Sequence, residues 1–349
     1  MNTIIKQLAL KVPPIRKIYT ERESLRSEVF SKDTRIEQLR SDLEQAQEKA
    51  AALSYLCAQG KQEAVVRSKE EFLRYMEAFH LVIGDSLEKN LAKKCSDSPN
   101  GACQVLGFCE VCGKPVNLWL DLMFSNNGWP AWTERMECPE CGFTSRLRYM
   151  VSTVITDFAA PQDFVGFSPP PNKIYMYERV TKLYSAIESY FGADHVTGSE
   201  YLSPELASGT IVDGILHEDA ECLSFEDNSF DLIISCDVFE HVADYKKSFR
   251  EAARVLKPGG KMYMTVPFFW SQDETTQLAA IVDGKIVHYF EPEWHGNPLS
   301  NEGSLCFWHH GWAILDDLKQ AGFRDVFIRL YHSQICGYMA NSFIFIAEK

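Results

Sequence analysis

Cys109 and Cys112 form one C-x-x-C pair and Cys138 and Cys141 another, with 25 residues between the pairs and a glycine, Gly113 or Gly142, after each. Four thiolates on two such knuckles satisfy a tetrahedral zinc ion and leave no open position, so the spacing predicts a structural zinc ribbon without zinc catalysis. A redox-active dithiol is the rival reading, and the matched second pair disfavours it. Cys95 and Cys103 are spare thiols nearby. Farther along, Asp219 and the corner Asp237–His241 follow runs that read as strands. Ligands of open α/β sheets gather at the carboxyl ends of strands, which suits these groups to small-molecule contact. His241, and His295 in "FEPEWHGNP", can exchange a proton near neutral pH. The competing readings are a helix-start residue packing on the sheet for His241 and a loop histidine bound to a carbonyl for His295.

The elements that must position these groups follow from periodicity. From Pro169 onward, apolar runs alternate with amphipathic stretches, the pattern of an α/β sheet. Strands are expected at Lys173–Tyr177, His195–Gly198, Ile211–Leu216, Asp231–Cys236, Lys261–Val266, Val326–Leu330 and Ser342–Ala347. Helices are expected at Val180–Tyr190, Tyr245–Leu256 and Gly311–Ala321. Between the fifth strand and the last helix, Phe268–His310 holds Phe269, Trp270, Tyr289, Trp294 and Trp308 among Glu293, His295 and Asn297. An insertion of that length at the strand ends suits a lid and acceptor pocket, and equally suits packing.

Ahead of this domain, residues from Glu21 to Gly60 lack proline and place Leu25, Leu39 and Leu53 at one heptad position and Val29, Ile36, Leu43 and Ala50 at the other. That register predicts a dimeric coiled coil, with a single long surface helix as the alternative. A second helical stretch, Lys69–Lys94, runs to the turn-rich "CSDSPNGAC". The expected organisation is therefore a helical extension at 1–94, a zinc-ribbon module at 95–150 and an α/β domain at 151–349.

Composition narrows the partners. The hydrophobic share of 46% and charged share of 24% suit a folded globular chain, and 35 Lys+Arg against 48 Asp+Glu leave a net charge of −13. Such a field disfavours nucleic acid. Neither a signal peptide nor a membrane span is expected, so the reading is a cytoplasmic protein. The basic amphipathic head around Lys6, Lys11, Arg16 and Lys17 gives only a weak case for peripheral membrane contact. The scattered cysteines suit a metal site better than a disulfide framework.

The stretch "HEDAECLSFEDNSFDLIISCDVFEHVADYKKSFREAARVLKPGGKMYMTVP", His217–Pro267, resembles the class I S-adenosylmethionine-dependent methyltransferases, in particular the type 11 group. The resemblance covers roughly Lys173–Lys349, about half of the chain. A cysteine ribbon ahead of such a domain is also similar to bacterial methyltransferases encoded with surface-glycan genes. The resemblance implies a Rossmann-like, seven-stranded, mostly parallel sheet with helices on both faces, and S-adenosyl-L-methionine as cofactor. It implies that Asp219 accepts from the adenine amino group with Ala220 beside it, that Glu200 holds the ribose hydroxyls, and that Asp237 lines the pocket near the methionine part. A solvated loop acid is the competing reading of each.

One departure stands out. Where the family's first loop reads acid-x-Gly-x-Gly, this chain has Tyr177-Glu178-Arg179-Val180-Thr181. Glycine there permits a left-handed turn and close backbone approach to the ligand. Without it, Glu178 remains at the strand end to reach the cofactor's ammonium group. The reading is methyl transfer to a polar small molecule or sugar hydroxyl, with His241 and His295 as candidate bases and oligomerisation through the N-terminal helix. The rivals are a non-catalytic scaffold and an RNA methyltransferase, the latter opposed by the acidic charge.

Overall fold

The computed structural model describes residues 21–22, 24–43, 60–82, 86–158 and 173–349. The chain divides into two units, Met1–Leu56 and Cys57–Lys349. In the first, helix α1 spans residues 24–43. Its expected seam positions Leu25, Val29, Ile36, Leu39 and Leu43 are all exposed. Ala50, Leu53 and the basic head lie outside the described residues.

The second unit is built on one mixed sheet. Its strands are β1 (Gln62–Val66), β4 (Ile174–Met176), β5 (Val196–Glu200), β6 (Thr210–Val212), β7 (Ile215–His217), β8 (Phe230–Cys236), β9 (Leu256–Thr265), β16 (Asp325–Ser333) and β17 (Tyr338–Glu348). They lie in the order β1-β16-β17-β9-β8-β4-β5-β7-β6. The run β7, β5, β4, β8 and β9 is parallel, whereas β17, β1 and β6 run antiparallel to their neighbours. The expected seven-stranded, mostly parallel sheet is thus a nine-stranded mixed one among the described residues.

Two differences account for the extra strands. The expected strand Ile211–Leu216 is broken by Asp213 and Gly214, both at positive φ, 50° and 79°. An Asp-Gly pair of that conformation is the favoured two-residue hairpin turn, so the run folds back as β6 and β7. The other addition is β1, whose residues were expected in the helical extension but pair in register with β16, with Val66 in the core. Helices α2 (Lys69–Val82) and α3 (Ser86–Asp97) follow it where one stretch was expected. Phe72 of α2 stacks on Trp270 with ring centroids 4.1 Å apart. The segment from residue 60 to 94 therefore belongs with the sheet.

Strands β2 (Ala102–Cys109) and β3 (Lys114–Asp121) form the hairpin of the cysteine module. Helix α4 (Ser145–Phe158) leaves that module and runs into the main domain across the expected boundary at 150. Helices α5 (Lys182–Phe191), α6 (Tyr245–Val255) and α7 (Ala313–Ala321) match the expected ones closely. Side chains of β8 alternate. Ile233 joins Phe249 of α6 and Leu315 and Leu318 of α7 in one core, while Leu232 and Ile234, pointing the opposite way, are equally buried. Between β9 and α7, the short strands β10 (Thr276–Gln277), β11 (Ala279–Val282), β12 (Lys285–His288), β13 (Trp294–Asn297), β14 (Ser300–Leu305) and β15 (Trp308–His309) pair two by two. They make up the expected insertion. Among the described residues, no helix is long and apolar enough to cross a membrane.

Candidate cofactor and acceptor site

The four paired cysteines converge. Cys109 Sγ lies 3.8 Å from Cys141 Sγ, and Cys112 Sγ lies 3.8 Å from Cys138 Sγ. Four thiolates bound at about 2.3 Å around a tetrahedral ion stand about 3.8 Å apart, so the side chains present fit that group. Each knuckle closes alike: Gly113 N–H donates to Cys109 O and Gly142 N–H to Cys138 O, both at 2.8 Å, with φ of 64° and 69°. Only glycine takes that turn without strain. Cys95 and Cys103 stand apart from this group, with their sulfurs 3.0 Å from each other. Cys336 is in a disulfide, unlike the scattered free thiols expected from the sequence.

The module does not stand aside from the sheet. Thr133, Glu134, Gly142, Phe143 and Arg146 form one wall of a cavity of about 1960 Å³. Glu178, Glu200, Asp219, Ala220, Asp237, His241 and His295 all line the same cavity. A pocket for a single drug-sized ligand is about 300–1,000 Å³, so there is room for a cofactor and an acceptor together.

The glycine-free loop is held by side chains. No residue from 177 to 181 has positive φ. Glu200 Oε1 accepts from Val180 N–H at 2.7 Å, Arg179 N–H donates to Ser199 O at 3.1 Å, and Thr181 caps α5 by accepting from Tyr184 N–H at 3.1 Å. Close approach is instead required on the neighbouring strand. A Cβ at Gly198 would lie 2.3 Å from Tyr184 Cε2 and 2.8 Å from Arg179 Cδ. The backbone of β5 therefore leaves room for the Arg179 guanidinium to stack on Tyr184, 4.2 Å from the ring centroid.

Carboxylates line the strand ends. Glu178 Oε1 accepts from Cys236 N–H at 2.6 Å, while its Oε2 is shielded and has no hydrogen-bond partner. Burial, reinforced by Asp237 and Glu200, pushes its pKa well above the usual carboxylate range. Burial also raises Glu200, against its backbone hydrogen bonds. Asp219 uses Oδ1 in a local turn with Glu221 N–H at 2.8 Å. Asp237, at φ 56°, accepts from Thr265 Oγ1 at 2.9 Å and pairs through Oδ2 with Arg146 Nη2 at 2.7 Å. Arg146 also grips Glu134 with two hydrogen bonds of 2.7 and 2.9 Å. Burial alone would raise the Glu134 carboxyl, and this guanidinium outweighs it, so the net shift is downward. Arg146 was missed in the sequence, although "SRLR" directly after the second knuckle is a basic cluster in an acidic chain.

At the far end, His241 Nδ1 donates to Leu305 O at 2.8 Å, and burial lowers its pKa. His295 Nε2 donates to Glu293 Oε1 at 2.9 Å, and Glu240, then Glu293, hold its pKa up at about 9. Glu240 is fully buried beside both histidines and is pushed up to about 7 by that burial. Of the insertion's aromatics, Phe268, Phe269, Trp294 and Phe307 line the cavity. Trp270 instead packs on Phe72, and Trp308 donates to Val242 O at 2.8 Å.

Residues 181–264 match a known family, described as a methyltransferase domain. The match begins at Thr181, the last residue of the glycine-free loop. Phosphoethanolamine N-methyltransferase 2 of Caenorhabditis elegans is 46% identical over 48 residues, 14% of this chain and 11% of that protein. Demethylmenaquinone methyltransferase of Shouchella clausii is 29% identical over 133 residues, 35% of this chain and 53% of that protein. The chain thus spans at most about half the length of these two relatives. A crystal structure of an S-adenosylmethionine dependent methyltransferase from Mesorhizobium loti aligns with a TM-score of 0.32 at 18% identity, over 51% of this chain and 90% of that one.

Proposed function

We propose that this chain transfers a methyl group from S-adenosyl-L-methionine to a hydroxyl of a polar small molecule, such as a sugar. The observation that carries the reading is the gathering of Glu178, Glu200, Asp219 and Asp237 at adjacent strand ends around one cavity, in a chain carrying a methyltransferase domain. Glu178 offers an unpartnered carboxylate oxygen to the cofactor's ammonium group. Glu200, with one oxygen engaged by the loop, offers the other to the ribose, and Asp219 with Ala220 takes the adenine. Asp237 is bound to Arg146 and Thr265, so it shapes the wall near the methionine part.

The cofactor supplies an electrophilic methyl on a sulfonium. Glu178, Glu200 and Asp219 would hold the cofactor, which would give its methyl group to an acceptor oxygen and be left as a thioether. The protein aligns the two reactants and excludes water. The acceptor's proton is handled at the His241–His295 end, where Phe269 and Trp294 provide aromatic faces beside Glu293 and Asn297. A zinc ion on the four ribbon cysteines has a structural role. Self-association through α1 is supported by its row of exposed Leu25, Val29, Ile36, Leu39 and Leu43 at heptad spacing.

Calorimetry of zinc-loaded protein with S-adenosylmethionine and with its demethylated product tests the reading, beside Glu200→Ala and Asp219→Ala. Binding lost in both variants is the expected result. No binding by the folded parent would leave the non-catalytic scaffold.

A further inference from the structure

Three side chains converge behind the acceptor end of the cavity. Glu240 Oε1 lies 3.7 Å from His241 Nε2 and 3.6 Å from His295 Nδ1, and donor atoms of all three residues fall within 4.8 Å of one another. Those separations exceed a hydrogen bond. Two donors held at about 2.0–2.2 Å from one ion, at an angle near 120°, stand about 3.6 Å apart.

The tautomers sharpen the point. A carbonyl oxygen only accepts, so His241 carries its proton on Nδ1, facing Leu305 O. The neutral ring then turns the Nε2 lone pair toward Glu240. Glu293 fixes His295 in the same sense, because a carboxylate accepts from Nε2–H and leaves Nδ1 facing Glu240. The other oxygen of Glu293 accepts from His309 Nε2 at 2.8 Å, which holds this support in place. The His241 lone pair and His295 Nδ1 thus face a carboxylate that is 0% exposed and whose two oxygens have no hydrogen-bond partner, and a metal ion would take the place of the proton that Glu240 and Glu293 hold on His295. A fully buried carboxylate without a hydrogen-bond partner is costly. Imidazoles backed by a carbonyl and a carboxylate are the outer-shell arrangement that prepares histidine for a metal.

We infer that Glu240, His241 and His295 form a mononuclear site for a divalent transition-metal ion, with its remaining coordination open to the cavity. Two imidazoles and one carboxylate suit ions of the zinc and cobalt class better than calcium or magnesium. The role of the ion rests on the methyl-transfer reading: the open position takes an oxygen of the hydroxyl-bearing acceptor. The site is chemically distinct from the four ribbon thiolates.

The test is titration of cobalt(II) into the full chain with its thiolate site already loaded with zinc, followed by visible absorption. One further equivalent is expected, with weak ligand-field bands and without sulfur charge-transfer absorption. His295→Ala and Glu240→Gln should each weaken it roughly tenfold or more. His295 sits on a partly exposed hairpin, so its variant keeps the test decisive if Glu240→Gln fails to fold. Cobalt confined to thiolate bands, or a further equivalent that His295→Ala leaves unchanged, would overturn the inference. S-adenosylmethionine calorimetry on the same samples separates the two readings. Cobalt bound without cofactor removes the methyltransferase and keeps the metal site, whereas cofactor bound without the further cobalt removes the metal site.

Discussion

Arg146 Nη2 lies 2.7 Å from Asp237 Oδ2, joining the helix that leaves the cysteine module to the end of the central strand β8. The same guanidinium holds Glu134 and donates to Thr265 Oγ1 at 3.0 Å. The module is thereby part of the cavity wall. Replacing Arg146 by Met leaves two carboxylates, Glu134 and Asp237, without their cation. Breaking a buried pair costs about 3–5 kcal/mol, and partial exposure of Asp237 reduces that. A loss of cofactor affinity of roughly tenfold or more is expected by calorimetry. Unchanged affinity in a folded Arg146→Met protein would show that this bridge does not shape the pocket.

On the proposed reading, Glu178 should make cofactor binding pH-dependent. Its pKa in the free protein is raised, so it is protonated at pH values where an exposed glutamate is ionised. An ammonium group binds the ionised form, and binding must then release a proton. Affinity should rise with pH up to the raised pKa and level off above it. Calorimetry in two buffers of different ionisation enthalpy reads the released proton, and a net exchange of zero would refute the assignment.

The same shift has a consequence for stability. A carboxyl whose folded pKa lies above its unfolded one makes folding take up a proton, so its contribution turns unfavourable as pH rises past the unfolded value. Glu178→Gln removes that burden. The variant should melt higher than the parent at neutral pH while losing cofactor, a trade common at functional sites. A lower melting temperature would count against it.

Gly198 is the residue to enlarge. Gly198→Ala puts a methyl group 2.3 Å from the Tyr184 ring, and overpacking of this kind costs about 1–3 kcal/mol. A lower melting temperature and weaker cofactor binding should appear together, because Tyr184 and Arg179 brace the loop. A normal melting temperature would mean that the loop relaxes freely.

The ribbon should hold its metal as a structural unit. Cys141→Ser, or prolonged chelation, is expected to release about one zinc per chain and lower the melting temperature. Elemental analysis and a thermal melt check this. Zinc retained by Cys141→Ser would point to a different ligand set.

Much of this arrangement was legible from local pattern. The strand that became β8, helix α6 and the C-x-x-C pairs all carry their signals within a few residues, as does the corner Asp237–His241. The rest depends on distant partners. Gln62–Val66 has no alternation strong enough to stand apart from a helical neighbourhood, and it is a strand only because β16 offers an edge. Arg146 reads as one more surface cation until Glu134 and Asp237 close around it. Glu240, beside His241 in the sequence, meets His295 only because the insertion folds back over the sheet. Asp213-Gly214, by contrast, is a hairpin signal already present in the sequence, inside the expected strand Ile211–Leu216.

The pairing of Gln62–Val66 with Asp325–Ser333 sets a limit on how this protein can be dissected. A fragment cut at residue 94 to isolate the α/β domain would strip β1 from the sheet and take Phe72 away from Trp270. The remaining piece would present the unpaired ladder of β16, an adhesive edge of the kind that drives chains together into aggregates. Insolubility of such a fragment would report a missing strand rather than an intrinsically unstable domain, and a fragment begun before residue 60 would keep that edge covered.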